Sequence, residues 1–240
     1  MRNKIFILGL ILSLFLACSK TDKEGDDDQP VLYGNERPGS IPGFGNRGGM
    51  PTGTPFELPP GVTLVETIIG NEEGATEGSC KLDGAGFFVS VTVKLERDTA
   101  LSGTGPLEVL FPPGLIVVSR IETKQNGLLL DSVLLVMPPV PQGSTGGSCV
   151  VNLLFSCLNE LKGVADPTVE YDFGPITNSE LVNAFLKEIK NKKINYSHFE
   201  PGSSDWFQIQ EGLQDRLWKI TDGEGLTLAD INWLRQLPNE

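Results

Sequence analysis

Basic residues, histidine and long apolar runs are all scarce in this chain, and each shortage narrows what it can do. Nineteen Lys and Arg against 31 Asp and Glu leave a formal net charge of −12. Phosphate backbones are held by a basic face, so nucleic acid is not an expected partner, and anionic lipid would be repelled; the acidity is read as a solubility feature. One histidine, His198, is too few for a metal site of the usual His/Cys kind, and no metal or cofactor is expected. Asp222-Gly223-Glu224 does not have the spacing of a calcium-binding EF-hand loop. Glycine is plentiful, at 28 residues, but lies in linkers and turns rather than in a phosphate-binding fingerprint. No apolar run reaches the roughly 20 residues that a membrane-spanning helix needs.

What the chain does have begins at its N-terminus. Arg2 and Lys4 precede an apolar run from Ile5 to Leu16, and Ala17 and Cys18 close it, which is the pattern of an export signal over residues 1–17. Leu14-Phe15-Leu16-Ala17-Cys18 resembles a bacterial lipobox, which implies that Cys18 becomes the first mature residue and carries a membrane-anchoring lipid. The expected location is the cell envelope, at the outer membrane or cell surface. The acidic run that follows, including Asp26, Asp27 and Asp28, cannot bury apolar surface. Gly- and Pro-rich sequence then continues, so residues 18–57 are expected to be a disordered tether with a reach of roughly 35 Å.

Residues 58–240 are long enough for one domain with its own core. VTLVETII, GFFVSVTVKLE, LEVLFP, LIVVSRIET, LLLDSVLLVMP and SCVVNLLFSCL read as strands between turn signals. Phe87, Val89, Val91, Val93 and Leu95 alternate with more polar neighbours, and Gln125-Asn126-Gly127 reads as a hairpin turn. From about residue 175 the period becomes helical. Thr177 and Glu180 have capping-box spacing ahead of Leu181, Val182, Phe185, Leu186 and Ile189. A second helix carries Trp206, Ile209, Leu213, Leu217 and Ile220 and stops at Asp222-Gly223. A third starts at Thr227 with Asp230 three residues on, burying Leu228, Ile231 and Leu234. The expected class is α+β: an antiparallel β-sandwich or barrel-like unit over 58–157, followed by a small helical subdomain over 175–237.

With Cys18 lipidated, an exported domain retains Cys80, Cys149 and Cys157, an odd number in an oxidising compartment. Sequence does not fix the pairing. Cys80 with Cys149 is preferred, because both follow Gly-Ser at strand boundaries. Cys149 and Cys157 fall in one predicted strand, about 26 Å apart at about 3.3 Å per residue, which is beyond disulfide reach. Cys157 is then the residual thiol.

FSCLNELKGVADP, residues 155–167, resembles the cysteine-bearing strand end of bacterial surface thioester domains, an aromatic-Cys-x-Asn element followed by proline. LQDRLWKITDG, residues 213–223, is similar to that family's second element, a Thr-Gln-x-Ala-Ile-Trp helix. The resemblance implies an adhesin whose Cys157 sulfur and Gln214 side chain form an internal thioester, shielded by Trp218, that acylates an amine on a protein or other surface ligand. The resemblance implies a binding protein and not an enzyme. Leu213 stands in place of the family's Thr, Arg216 in place of its Ala, and Ser156 in place of the aromatic next to the cysteine.

Residue chemistry alone leaves more than one reading. A thiolate that displaces ammonia from a carboxamide leaves an electrophile needing protection from water, and Trp218 lies one turn beyond Gln214 on the same helical side. Equally, Gln214 reads as a solvated residue, Cys157 as a small buried side chain and Trp218 as core. The domain is then a non-covalent binding or assembly module. A hydrolase built on Cys157 and His198 is a third reading, and Trp206, Trp218 and Trp233 read as core before sugar-stacking residues.

Overall fold

The computed structural model describes residues 29–31, 33–71 and 80–240. The export signal, Cys18 and the acidic cluster at 26–28 lie outside the described residues. In chain order the strands are β1 (Gly53–Thr54), β2 (Val62–Leu64), β3 (Ile68–Gly70), β4 (Lys81–Gly84), β5 (Val89–Asp98), β6 (Leu107–Phe111), β7 (Leu115–Ser119), β8 (Gly127–Leu128), β9 (Val133–Met137), β10 (Gly146–Cys157) and β11 (Glu170–Thr177). The helices are α1 (Thr99–Ser102), α2 (Glu180–Glu188), α3 (Ser204–Asp222) and α4 (Leu228–Gln236), with a 3₁₀ turn at Tyr196–His198.

The chain is mixed helix and strand, as expected, and of the two expected arrangements, sandwich or barrel-like, its strands take the second by closing on themselves. The ring of six runs β5–β3–β11–β7–β8–β10 and returns to β5, with every pairing antiparallel. Closure depends on β10, whose 12 residues reach past β5 to β8. Gly127 admits β8 at that point: a Cβ there would lie 2.7 Å from Phe155 Cβ. Outside the ring, β1 pairs with β11, β2 with β5, and β4 with β10 in parallel, while β6 and β9 form a separate ribbon. Among the described residues no helix is long and apolar enough to cross a membrane.

Alternation along β5 fills the barrel. Val89, Val91, Val93 and Leu95 are fully buried, and Cys149, Val151, Leu153, Phe155 and Cys157 of β10 belong to the same cluster. Each such aliphatic side chain contributes about 1.5–3 kcal/mol on burial. Arg97 continues the inward parity of β5 at the barrel end, where its guanidinium donates to the carbonyl oxygens of Ser102, Gly103, Gly105 and Pro138. Four carbonyl dipoles thus solvate a buried charge without a carboxylate. The disulfide joins Cys80 to Cys149, with Cα atoms 5.8 Å apart, and Cys157 is free and buried.

A second core lies between the outside of the barrel and the helices. Ile116, Leu128 and Leu158 meet Leu181, Val182 and Phe185 of α2, Leu213, Leu217 and Ile220 of α3, and Ile231 and Leu234 of α4. The capping box of α4 is as predicted: Thr227 accepts from Asp230 N–H, and Asp230 accepts from Thr227 N–H. Three local expectations are corrected. The N-cap of α2 is Ser179, which bonds Val182 N–H, because Thr177 is held in β11 against β1. Leu228 is 42% exposed, since the first turn of α4 sits at the edge of the core. Gln125-Asn126-Gly127 is not a tight hairpin turn, because Asn126 is buried and Gly127 already belongs to β8.

The tether boundary at 57 is also corrected. Residues 33–54 run as a strap against the helical core, with Ile41 and Phe44 buried in it. Val31 N–H bonds Leu226 O, Gly39 N–H bonds Ile220 O, and Gly45 N–H bonds Leu158 O. Glu36 accepts from Ser179 Oγ and Leu181 N–H at the start of α2.

Candidate functional site

The strand β10 ends at Cys157, and the ladder ends there unevenly. On one edge Cys157 is registered with Gly127 of β8. On the other, β5 begins only at Val89, opposite Phe155, so the Cys157 N–H and C=O lie beyond the last strand pair. A buried peptide group without partners costs roughly 1–3 kcal/mol. Gln214 of α3 supplies both partners: Cys157 N–H donates to Gln214 Oε1 at 2.8 Å, and Gln214 Nε2 donates to Cys157 O at 2.8 Å. Gln214 is 2% exposed. Two residues separated by 57 positions, one on a strand end and one on a helix, are therefore locked together amide to peptide.

The thiol is fully buried. Asn159 N–H donates to Sγ at 3.2 Å, and the Asn159 side chain is itself fixed, donating to Gly43 O and Gly45 O while accepting from Asn126 N–H. Asn126 donates a further bond to Gly43 O and accepts from Ser119 N–H. Trp218 packs against the barrel core beside the sulfur, its ring centroid 5.4 Å from that of Phe88. Its indole nitrogen, buried and without an N or O acceptor, faces Sγ outside conventional hydrogen-bond geometry, yet near enough to favour the thiolate slightly. Burial outweighs both donors and pushes the thiol up to about 12, with the nearby charges of Asp222 and Glu160 adding to the rise.

Outside Trp218 lies a cavity of about 230 Å³ lined by Glu160, Asp215, Trp218, Lys219, Asp222 and Glu224. Lys219 is engaged by both carboxylate oxygens of Asp230, each at 2.9 Å, so the cavity presents a surplus of negative charge.

Cys157, Gln214 and Trp218 thus lie at one site, while Cys149, elsewhere on β10, is joined to Cys80 just before β4. Cys18 lies outside the described residues. Arg216 reaches away from the pair, stacking 3.8 Å over the Trp233 ring and lying 3.5 Å from Asp230. Ser156, where the thioester family has an aromatic, bonds Ala85 O in a buried position with no room for a ring. His198 lies 3.8 Å from Glu240 and is not among the groups around Cys157, so no Cys–His pair forms. Trp206 and Trp233 pack in aromatic and helical contacts as core residues. Asn126 and the Gly43–Gly45 carbonyls were hidden by their turn-like and linker-like sequence; the signal for them was Ile41 and Phe44, two apolar residues that a solvated spacer does not need. Compared with protein-family models, curated proteins and solved structures, the chain matches none, so the site stands on its own geometry.

A free Cys157 has a pH signature. Its folded value of about 12 exceeds the ordinary value of 9.0, so its contribution to stability is complete below about 9 and is lost as pH rises toward 12. Urea melts at stepped alkaline pH should show a shallower stability loss for Cys157→Ser than for the parent chain; identical limbs would mean the thiol does not titrate in this window.

Proposed function

We propose that this domain is a thioester-forming binding domain of a lipid-anchored envelope protein, which captures an amine-bearing surface ligand covalently. The observation supporting it is the double hydrogen bond that sets the Gln214 amide on Cys157. In this reading Sγ adds to Gln214 Cδ, the thiol proton passes to Nε2, and ammonia leaves; an Sγ–Cδ bond replaces the Cδ–Nε2 bond. Cys157 N–H, already on Oε1, stabilises the negative charge that develops there. A ligand amine then attacks Cδ, forming a new amide, and Cys157 leaves as a thiol carrying a proton from the amine. Trp218 and Phe88 keep water from the bond between the two steps. The carboxylates of the outer cavity attract an ammonium group, and Lys219 is held aside by Asp230. Cys18 would carry the lipid that holds the domain at the cell surface.

The high thiol pKa and the complete hydrogen bonding of Gln214 favour a second reading, in which the glutamine only caps a strand and the domain binds without covalent chemistry. Intact mass of the purified domain separates the two. The first reading expects a chain one ammonia lighter than its sequence, restored to full mass by Cys157→Ala or Gln214→Ala and converted by methylamine to an adduct at Gln214. A full-mass parent chain whose Cys157 alkylates once unfolded overturns it.

A further inference from the structure

We propose that the strap segment 39–47 is the gate of the Cys157 site, so that its local release, rather than unfolding of the barrel, admits reagents to Sγ. Sγ receives its hydrogen bond from Asn159 N–H. Asn159 is held by two strap carbonyls, Gly43 O at 3.2 Å and Gly45 O at 2.8 Å. Gly43 O also takes Asn126, the residue whose N–H bonds Asn159 Oδ1. Gly45 N–H closes the set on Leu158 O at 2.7 Å. Leu158 and Asn159, the two residues that follow the sulfur, are therefore clamped to the strap beyond the end of the ladder at Cys157.

The strap forms no strand pair over 39–47, whereas each strand of the ring is paired on both edges. Its hold on α3 is one hydrogen bond, Gly39 N–H to Ile220 O, and its apolar anchors are Ile41 and Phe44. Gly45 lies against the C-terminal turn of α3 at φ 53, where a Cβ would come 2.1 Å from Thr221 O. Segments held by isolated hydrogen bonds open at lower free energy than the closed sheet beneath them. Opening of this one frees Asn159 and uncovers the strand end while the six-stranded ring stays shut.

The test reads chemistry at Cys157 under native conditions: iodoacetamide alkylation where the thiol is free, methylamine cleavage where it is bonded to Gln214. The proposal thus holds or fails independently of the proposed function, which is read by mass alone. In the parent chain, the logarithm of the rate should rise with urea at under about one third of the slope of global unfolding. Gly45→Ala should speed the reaction about tenfold or more at zero urea, beyond any change in global stability, whereas Gly48→Ala, with nothing within 4 Å of its new Cβ, should leave it unchanged. A parent slope equal to that of global unfolding overturns the gate, and so does a Gly45→Ala rate explained wholly by its loss of global stability.

Discussion

Gln214→Ala should destabilise the domain by about 3–4 kcal/mol, the cost of a cavity plus two orphaned peptide groups at the end of β10. The value is large because the pair is buried and nothing else reaches Cys157 N–H or O on that edge. Gln214→Glu should separate hydrogen bonding from size. A neutral carboxylic acid can accept from Cys157 N–H and donate to Cys157 O, but a carboxylate sets two lone-pair oxygens against that carbonyl. Burial therefore raises the glutamate's folded pKa above the unfolded value of about 4.3. The sign follows: the Glu variant should be near parental stability below about 4.3 and should lose it as pH rises through the folded value. Urea midpoints from pH 3 to pH 8 read this directly. A Glu variant with the parent's pH profile, or an Ala variant within about 1 kcal/mol of the parent, would remove Gln214 from its place on the strand end.

Breaking the disulfide should have a comparable effect. Cys80 and Cys149 close a loop of 69 positions, for which chain entropy alone gives about 4 kcal/mol. The bridge also fastens β4 to β10, and four registered pairs from Lys81 to Gly84 run beside it. Cys80→Ser/Cys149→Ser should lower the urea midpoint accordingly, with the first protection lost in amide exchange along β4 and the β5–β10 ladder kept until global unfolding. A loss below about 1 kcal/mol would mean that the unfolded chain already keeps these strands close.

Much of this was legible before any coordinates, for identifiable reasons. The alternation at 89–95 and the three-and-four spacing of α3 are dictated by burial on one face, and both elements form where that pattern lies. The Cys80–Cys149 bridge was preferred from the Gly-Ser-Cys setting the two share, which sequence alone does not turn into a unique pairing. The choice between sandwich and barrel was not legible, because closure rests on β10 being long enough to meet both β5 and β8, a property of pairing partners instead of local pattern. β11 was missed, since Gly174 and Pro175 interrupt its apolar run and register shifts there. At the site, Cys157 and Gln214 were reached through the resemblance to thioester domains, but Asn126 and the strap could not be. Their chemistry is that of backbone carbonyls in glycine-rich sequence, and carbonyls leave no mark on composition.

One strand carries two sulfurs with opposite fates. Cys149 and Cys157 both face inward on β10, so the strand acts as a ruler that keeps the oxidised sulfur at one mouth of the barrel and the reserved one at the other. In the unfolded chain the three thiols of this region are equal competitors for an oxidant, and only assembly of the ring sorts them. The yield of correctly bridged molecules in oxidative folding is therefore set by a race between barrel assembly and sulfur oxidation, and a slow oxidant should favour the native product.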